Sequence, residues 1–225
     1  MTTKAVLFDL DGVLIETERE TFSFYKKYLN ERHNINLKDS DFRYKAGRKS
    51  KNFFNDVLTP EQRELVNTDK LIELKRKFFN TQISKYAKRV DGGKELLELL
   101  KENHYLLALC SQNEPRMIES ALKWLGIKKY FQIILSLADI KNQKPNPEIY
   151  ISAAEKLKVK PLECAVIEDS QDGILAAKRG GFKCIGIRHS YMPKQGYRKA
   201  DKVVAELKAI SLSLIKSLEQ KKRGR

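Results

Sequence analysis

Apolar residues follow two rhythms along this chain. Ala5-Val6-Leu7-Phe8 is a short unbroken run that stops at Asp9-Leu10-Asp11-Gly12-Val13, which predicts a buried strand ending in a turn. From Thr17 the rhythm changes. Phe22, Tyr25 and Leu29 recur at helical spacing among Glu20, Lys26, Lys27 and Glu31, predicting an amphipathic helix to about His33. Thr59-Pro60-Glu61 supplies an N-cap and a proline at the first helical position, and Leu71, Leu74 and Phe78 share one face of the next helix. No strand pattern of any strength falls between Thr17 and Arg89. Residues 17–90 are therefore expected to form a helical insertion, with linkers near Leu14 to Thr17 and near Lys88 to Gly93.

After Asp91-Gly92-Gly93 the two rhythms alternate. Strands are predicted at Tyr105 to Cys110, Gln132 to Leu135, Cys164 to Ile167 and Phe182 to Ile187, with a further one at Lys202 to Val204. Helices are predicted at Leu96 to Leu100, Glu114 to Leu125, Pro147 to Leu157, Ile174 to Arg179 and about Glu206 to Leu218. Strands alternating with helices imply a parallel sheet with right-handed crossovers. The expected fold class is α/β: a Rossmann-like parallel-sheet core flanked by helices, formed by residues 1–16 and 91–220, carrying an all-helical domain at 17–90 and a basic tail at 221–225.

Composition narrows the class. A chain of 225 residues that is 41% hydrophobic can bury one substantial core and a smaller second unit. Its longest apolar runs fall well short of the ~20 residues that cross a bilayer. The amino terminus enters a strand almost at once, without the charged and apolar regions of a signal peptide, so a cytoplasmic protein with no membrane partner is expected. Cys110, Cys164 and Cys184 are scattered, and buried free thiols are expected rather than disulfides or zinc ligands. The net charge is +15, but residues 17–90 hold 18 Lys and Arg against 10 Asp and Glu, and the tail Lys221-Lys222-Arg223-Gly224-Arg225 adds four more positive charges. The basic surplus is thus concentrated in one insertion and one tail, where a solvated lysine-rich surface is the plain explanation.

Polar clusters sit where core strands should end. Asp9 and Asp11 follow the first strand, Ser111-Gln112-Asn113 the second, Lys144 lies between Gln143 and Pro145 after the third, and Glu168-Asp169-Ser170 follow the fourth. Each has an ordinary alternative. Asp11-Gly12 could close a β-hairpin, Ser111 could cap a helix, Lys144 could be an exposed loop lysine, and Glu168 and Asp169 could complement a helix dipole. In a parallel sheet, however, all four strand ends open onto one edge. Gathered there, these groups offer carboxylates for a hard cation, a hydroxyl and a fixed ammonium, which suits a phosphate group.

With these motifs in order, from Ala5 to about Val204, the sequence resembles the haloacid dehalogenase superfamily, in the branch with a helical cap inserted after the first motif, β-phosphoglucomutase-like and sugar-phosphatase-like. The resemblance rests on Asp9-Leu10-Asp11-Gly12-Val13, Ser111, Lys144-Pro145-Asn146-Pro147, and Glu168-Asp169-Ser170 with Gly173 behind it. It implies that Asp9 attacks phosphorus to form an aspartyl phosphate and that Asp11 serves as acid and then base. It implies Mg2+ held by the Asp9 carboxylate, the Asp11 backbone carbonyl and Asp169, with Glu168 a ligand or a support behind the ligands. Ser111 and its neighbouring backbone N–H would bind a phosphoryl oxygen, Lys144 would neutralise charge, and Gly12 and Asn113 would contact substrate.

The same resemblance sorts the reactions. Dehalogenases of this superfamily lack an acidic residue at the position of Asp11, so dehalogenation is not expected. The mutases carry a histidine early in the first cap helix, where counting from Asp9 lands on Thr21, so hydrolysis of a small phosphorylated metabolite is the expected activity and a phosphosugar mutase the alternative. Arg48, Lys49 and Lys75 (or Lys77) in the insertion are expected to meet the rest of the substrate. A reading of another class is nucleic-acid binding through the basic insertion and tail, with Phe53-Phe54 and Phe78-Phe79 as stacking groups, although core packing accounts better for those aromatics. The oligomeric state is not legible, with a monomer as the working expectation.

Overall fold

The computed structural model describes residues 2–45, 50–190 and 194–220. In chain order it begins with β1 (Ala5–Phe8) and β2 (Ile15–Glu16). Six helices follow: α1 (Glu18–His33), α2 (Phe42–Lys45), α3 (Ser50–Val57), α4 (Pro60–Val66), α5 (Thr68–Thr81) and α6 (Ile83–Tyr86). Then come β3 (Lys88–Arg89), α7 (Gly93–Glu102), β4 (Leu106–Cys110), α8 (Pro115–Leu125), β5 (Ile133–Leu135) and α9 (Glu148–Lys156). The chain closes with β6 (Cys164–Glu168), α10 (Gln171–Arg179), β7 (Lys183–Ile187), β8 (Lys202–Val204) and α11 (Leu212–Ser217).

A strand that is apolar on both faces needs cover on both sides and neighbours on both edges. β1 has them, at the middle of a six-stranded sheet of order β5-β4-β1-β6-β7-β8 in which every pairing is parallel. Alternate residues serve opposite cores. Val6 and Phe8 join Leu107, Leu109, Ala165 and Ile167 under α7 and α8, whereas Ala5 and Leu7 join Ala108, Cys110, Cys164 and Val166 under α9 and α10. This is the α/β arrangement that the alternating rhythms imply. All three cysteines, Cys110, Cys164 and Cys184, are buried and free, and all lie in the second of these cores.

Helices α1 to α5 between β2 and β3 keep a core of their own, with Phe22, Tyr25, Leu29, Phe53, Phe54 and Leu71 in it, whereas Phe79 of α5 and Ile83 of α6 join the core under the sheet. Thr59 and Gln62 form the capping box that opens α4, and Asn67, in the left-handed region at φ 50°, separates α4 from α5. Phe53 and Phe54 are buried against Tyr25, Phe79 is buried against Tyr86, and the half-buried Phe78 packs on Phe24 and Tyr86, so all four are taken up in packing. The nucleic-acid alternative therefore loses its aromatic platform, and the basic tail 221–225 lies outside the described residues.

Two expectations are corrected. β3 is a strand where none was read, pairing antiparallel with β2 through Ile15↔Arg89 and Glu16↔Lys88; a two-residue strand is too short to carry a period. The helix expected from about Glu206 to Leu218 is broken. Leu207–Ala209 make a single 3-10 turn, Ile210 is extended, and α11 begins only after Ser211, whose hydroxyl accepts from Leu214 N at 3.2 Å. The serine cap outweighs the apolar spacing that runs through it. Among the described residues, no helix is long and apolar enough to cross a membrane.

Candidate active site at the carboxyl edge of the sheet

The register of β1 delivers the site. Phe8 is level with Leu109 of β4 and Ile167 of β6, so Asp9, Cys110–Ser111 and Glu168–Asp169 leave the sheet side by side. Asp9 N still donates to Ile167 O at 3.0 Å, and Ser111 N donates to Leu135 O at 3.1 Å, so both residues stand on the last rungs of the ladder. Ser111 is buried, and its hydroxyl accepts from Asn113 N at 3.2 Å. It does not cap α8, whose N-cap is Glu114. The helix-cap alternative for Ser111 is thereby set aside.

Lys144 is buried, contrary to the exposed-loop alternative. Its ammonium donates to Asp9 Oδ1 at 2.5 Å, to Glu168 Oε1 at 2.7 Å and to the Cys110 carbonyl at 3.2 Å. Burial works against the charged ammonium, but the two carboxylates outweigh it and hold the Lys144 pKa above the usual lysine value. Glu168, at 0% exposure, has both oxygens engaged. Oε1 also accepts from Tyr150 OH at 2.8 Å, while Oε2 accepts from Asp169 N, Ser170 N and Ser170 Oγ, each at 2.9 Å. Burial alone would raise this carboxyl, yet Lys144 and these donors hold it below the ordinary range. Glu168 thus fixes the ammonium on one side and the turn carrying Asp169 on the other.

Asp11 is held from two directions. Thr17 Oγ1 donates to its Oδ1 at 2.6 Å, and Asn113 Nδ2 donates to its Oδ2. The turn between Asp11 and Thr17 depends on Gly12, at φ +72°, where an added Cβ would lie 1.9 Å from Asp169 Oδ2. That close approach brings the first and fourth motifs together. His189, just beyond β7, closes the same corner: its Nε2 lies 2.9 Å from Gly12 O, which can only accept, and 3.5 Å from Asp169 Oδ2.

Among the described residues, Asp9, Glu168 and Asp169 form one cluster of metal-ligating groups, with donor oxygens within 4.8 Å of one another. The fit to a hard divalent cation can be judged from the electrostatics. Burial, then Glu168, Asp9 and Asp11, push the Asp169 carboxyl well above the ordinary aspartate value, and burial raises Asp9 against the pull of Lys144. Carboxylates crowded in this way are short of positive charge, and oxygen donors are what Mg2+ takes.

The helical insertion covers this edge. Asn80 Nδ2 donates to Glu114 Oε2 at 2.9 Å, and Ser120 Oγ donates to Asn80 O at 2.8 Å, so α5 is fastened to α8. Between them lies a cavity of about 130 Å3 lined by Lys75, Phe79, Gln112, Asn113 and Met117 among others. Lys75 sits 4.1 Å above the Phe79 ring, and burial pushes its pKa down to about 8 while Asp11 pulls it the other way. Lys77, its alternative, is exposed. Arg48 and Lys49 lie outside the described residues. A larger depression of about 420 Å3 at the opposite, amino-terminal edge of the sheet, around Lys4, His104 and Leu212, has no carboxylate in its lining and none of the predicted groups.

Thr17, Tyr150 and His189 belong to this site and were not singled out from the sequence. Tyr150 shares its helical spacing with Ile149 and Ala153, which reads only as a core face, and His189 lies in a loop without a motif. Thr17 had a signal, a hydroxyl six residues past Asp11, but it read as a helix start.

Comparison with known proteins agrees with this geometry. The chain is 31% identical over 204 residues to validoxylamine A 7'-phosphate phosphatase of Streptomyces hygroscopicus subsp. limoneus, covering 91% of this chain and 94% of that protein. It is 31% identical over 220 residues to β-phosphoglucomutase of Bacillus subtilis (strain 168), covering 94% and 93%. The crystal structure of a HAD hydrolase, family IA, variant 3, from Entamoeba histolytica HM-1:IMSS has a TM-score of 0.79 at 23% identity, covering 96% of this chain and 99% of that one, a likeness of fold alone. A family model described as haloacid dehalogenase-like hydrolase matches residues 6–187, which include every strand-end cluster described above. The chain belongs to the haloacid dehalogenase-like hydrolase family.

Proposed function

We propose that this hydrolase is a Mg2+-dependent phosphatase that releases phosphate from a small phosphorylated metabolite through an aspartyl phosphate on Asp9. The observation that carries the reading is the convergence of Asp9, Asp11, Ser111, Lys144 and Asp169 on one edge, with Asp11 held by Thr17 and Asn113 beside Asp9. In the first half, an Asp9 oxygen bonds to phosphorus as the P–O bond to the leaving group breaks, and protonated Asp11 gives its proton to the departing oxygen. In the second, the Asp11 carboxylate takes a proton from water, whose oxygen bonds to phosphorus and releases Asp9 and inorganic phosphate. Ser111 and the backbone N–H beside it bind phosphoryl oxygens, Gly12 and Asn113 border the phosphoryl group, and Lys144 keeps Asp9 from repelling it.

Asp9, Asp169 and the Asp11 carbonyl would hold the Mg2+, with Glu168 anchoring Lys144 behind them. Bound there, the ion supplies the positive charge that lets an anionic nucleophile meet an anionic phosphate. The six-helix insertion is read as the cap that shuts water away from the intermediate, residues 17–90 moving over the core of 1–16 and 91–220.

A phosphosugar mutase is the second reading, favoured by the identity to β-phosphoglucomutase. Against it, Thr21 stands where counting placed the mutase histidine and is buried at 3% exposure, and the histidine beside Asp169 is bonded to Gly12 O. The test is phosphate release from an aryl phosphate with Mg2+. Activity lost in Asp9→Asn supports the proposal. Release that persists undiminished in that variant, or isomerisation of a phosphosugar without free phosphate, ends it.

A further inference from the structure

Ser111, Gln112 and Asn113 follow β4 in one turn, and two of the three have their polar atoms committed. Ser111 Oγ accepts from Asn113 N, and Asn113 Nδ2 donates to Asp11. Gln112 differs. Among the described residues, its Nε2 is the buried side-chain nitrogen with no hydrogen-bond partner. A buried amide N–H left unpaired costs stability unless something in the working state meets it.

The surroundings of that nitrogen define what would meet it. Gln112 lines the cavity between α5 and α8 together with Lys75 and Asn113, and Asn113 is the residue that holds Asp11, the proposed proton donor to the leaving oxygen. With Asp11 as the proton donor, the cavity would lie on the leaving-group side of the scissile bond. Its one carboxylate, Glu114, already accepts from Asn80 and pairs with Arg76 at 3.9 Å, while the Lys75 ammonium and the Gln112 amide remain as donors. Phe79 and Met117 add an apolar wall. Spare donors beside an apolar wall match a carbon skeleton that carries oxygen lone pairs.

We infer that the side-chain amide of Gln112 selects the leaving group, turning from its buried position into the cavity to donate its Nε2–H to an acceptor oxygen that lies beyond the ester oxygen, alongside the Lys75 ammonium. The inference rests on the phosphatase reading and adds to it a specificity-determining residue. A site with a buried donor discriminates chiefly by rejecting substrates that leave the donor unpaired.

The experiment compares wild type, Gln112→Leu and Gln112→Glu on phenyl phosphate, whose leaving group has no further acceptor oxygen, and on a panel of phosphorylated polyols, sugars and hydroxy acids. In Gln112→Leu, kcat/KM for the best oxygenated substrate is expected to fall about tenfold relative to phenyl phosphate, and in Gln112→Glu further still, since an acceptor then faces an acceptor. A ratio that stays the same in both variants overturns the inference and leaves the phosphatase standing. A wild-type protein inactive on the whole panel and on phenyl phosphate overturns both. Gln112→Asn, which keeps the amide but withdraws it, gives the same ratio readout should the leucine variant melt early.

Discussion

Lys144 and Glu168 meet at 2.7 Å with the lysine side chain 4% exposed and the glutamate fully buried. Two charges so far from water are held only because each also has other partners: Asp9 and the Cys110 carbonyl for the lysine, Tyr150 and the Ser170 turn for the glutamate. Removing one partner of such a pair strands the other. Lys144→Met is expected to destabilise the fold by about 3–5 kcal/mol, read from urea unfolding, as well as to abolish phosphate release. A melting temperature equal to that of wild type would show that the glutamate does not depend on the lysine.

Gly173 gives a steric test of the same network. A Cβ built there would lie 1.6 Å from Glu168 Oε1, so the carboxylate must leave its donors or α10 must shift. Gly173→Ala is expected to cost roughly 2–3 kcal/mol by overpacking and to lower activity through Lys144, which loses its fixed partner. Differential scanning calorimetry beside phosphate release measures both.

Thr17 tests the placement of Asp11. Thr17→Val keeps the shape and removes the 2.6 Å donation to Asp11 Oδ1. With Asn113 still in place, Asp11 keeps one of its two restraints, so kcat is expected to fall about tenfold, the worth of one hydrogen bond of about 1.4 kcal/mol, with KM little changed. A rise in KM at constant kcat would instead place Thr17 in substrate binding.

Lys75 sets a pH dependence whose sign follows from burial. Its pKa falls from 10.5 to about 8, so between those values the folded state binds fewer protons than the unfolded one. Stability contributed by this residue therefore rises as pH is raised across that window, and its burial penalty is fully present below about 8. Substrate affinity runs the other way, because the neutral amine no longer attracts an anionic or oxygen-rich substrate. KM is expected to rise above pH 8 in wild type, and Lys75→Met should flatten both the KM profile and the stability difference. An unaltered KM profile in the variant would assign the titration to another group.

The parts of this site that could be read from the sequence are those attached to strand ends. Asp9, Ser111 and Glu168–Asp169 each follow an apolar run directly, so predicting a parallel sheet also predicts that they meet. Lys144 was readable only from its motif, because a loop lysine between Gln143 and Pro145 carries no burial signal. Thr17, Tyr150 and His189 act through contacts across 6, 18 and 177 residues of chain, and residue spacing within one element does not record such contacts. Gln112 was visible in the right cluster, but its exceptional trait, a donor without a partner, exists only once the chain is folded. β3 and the broken helix before α11 failed for a shared reason: a period needs several residues to show itself, and both features turn on one or two.

The small ribbon of β2 and β3 has a mechanical corollary. The segments that lead into and out of the helical insertion are not two loose tethers but neighbours zipped by the Ile15↔Arg89 and Glu16↔Lys88 pairs. Sliding one past the other would break that ladder, while swinging both together as a single strap would not. In the closure proposed above, the insertion would then turn about one axle instead of sliding, and Lys75 would come back to the same side of Asp11 each time.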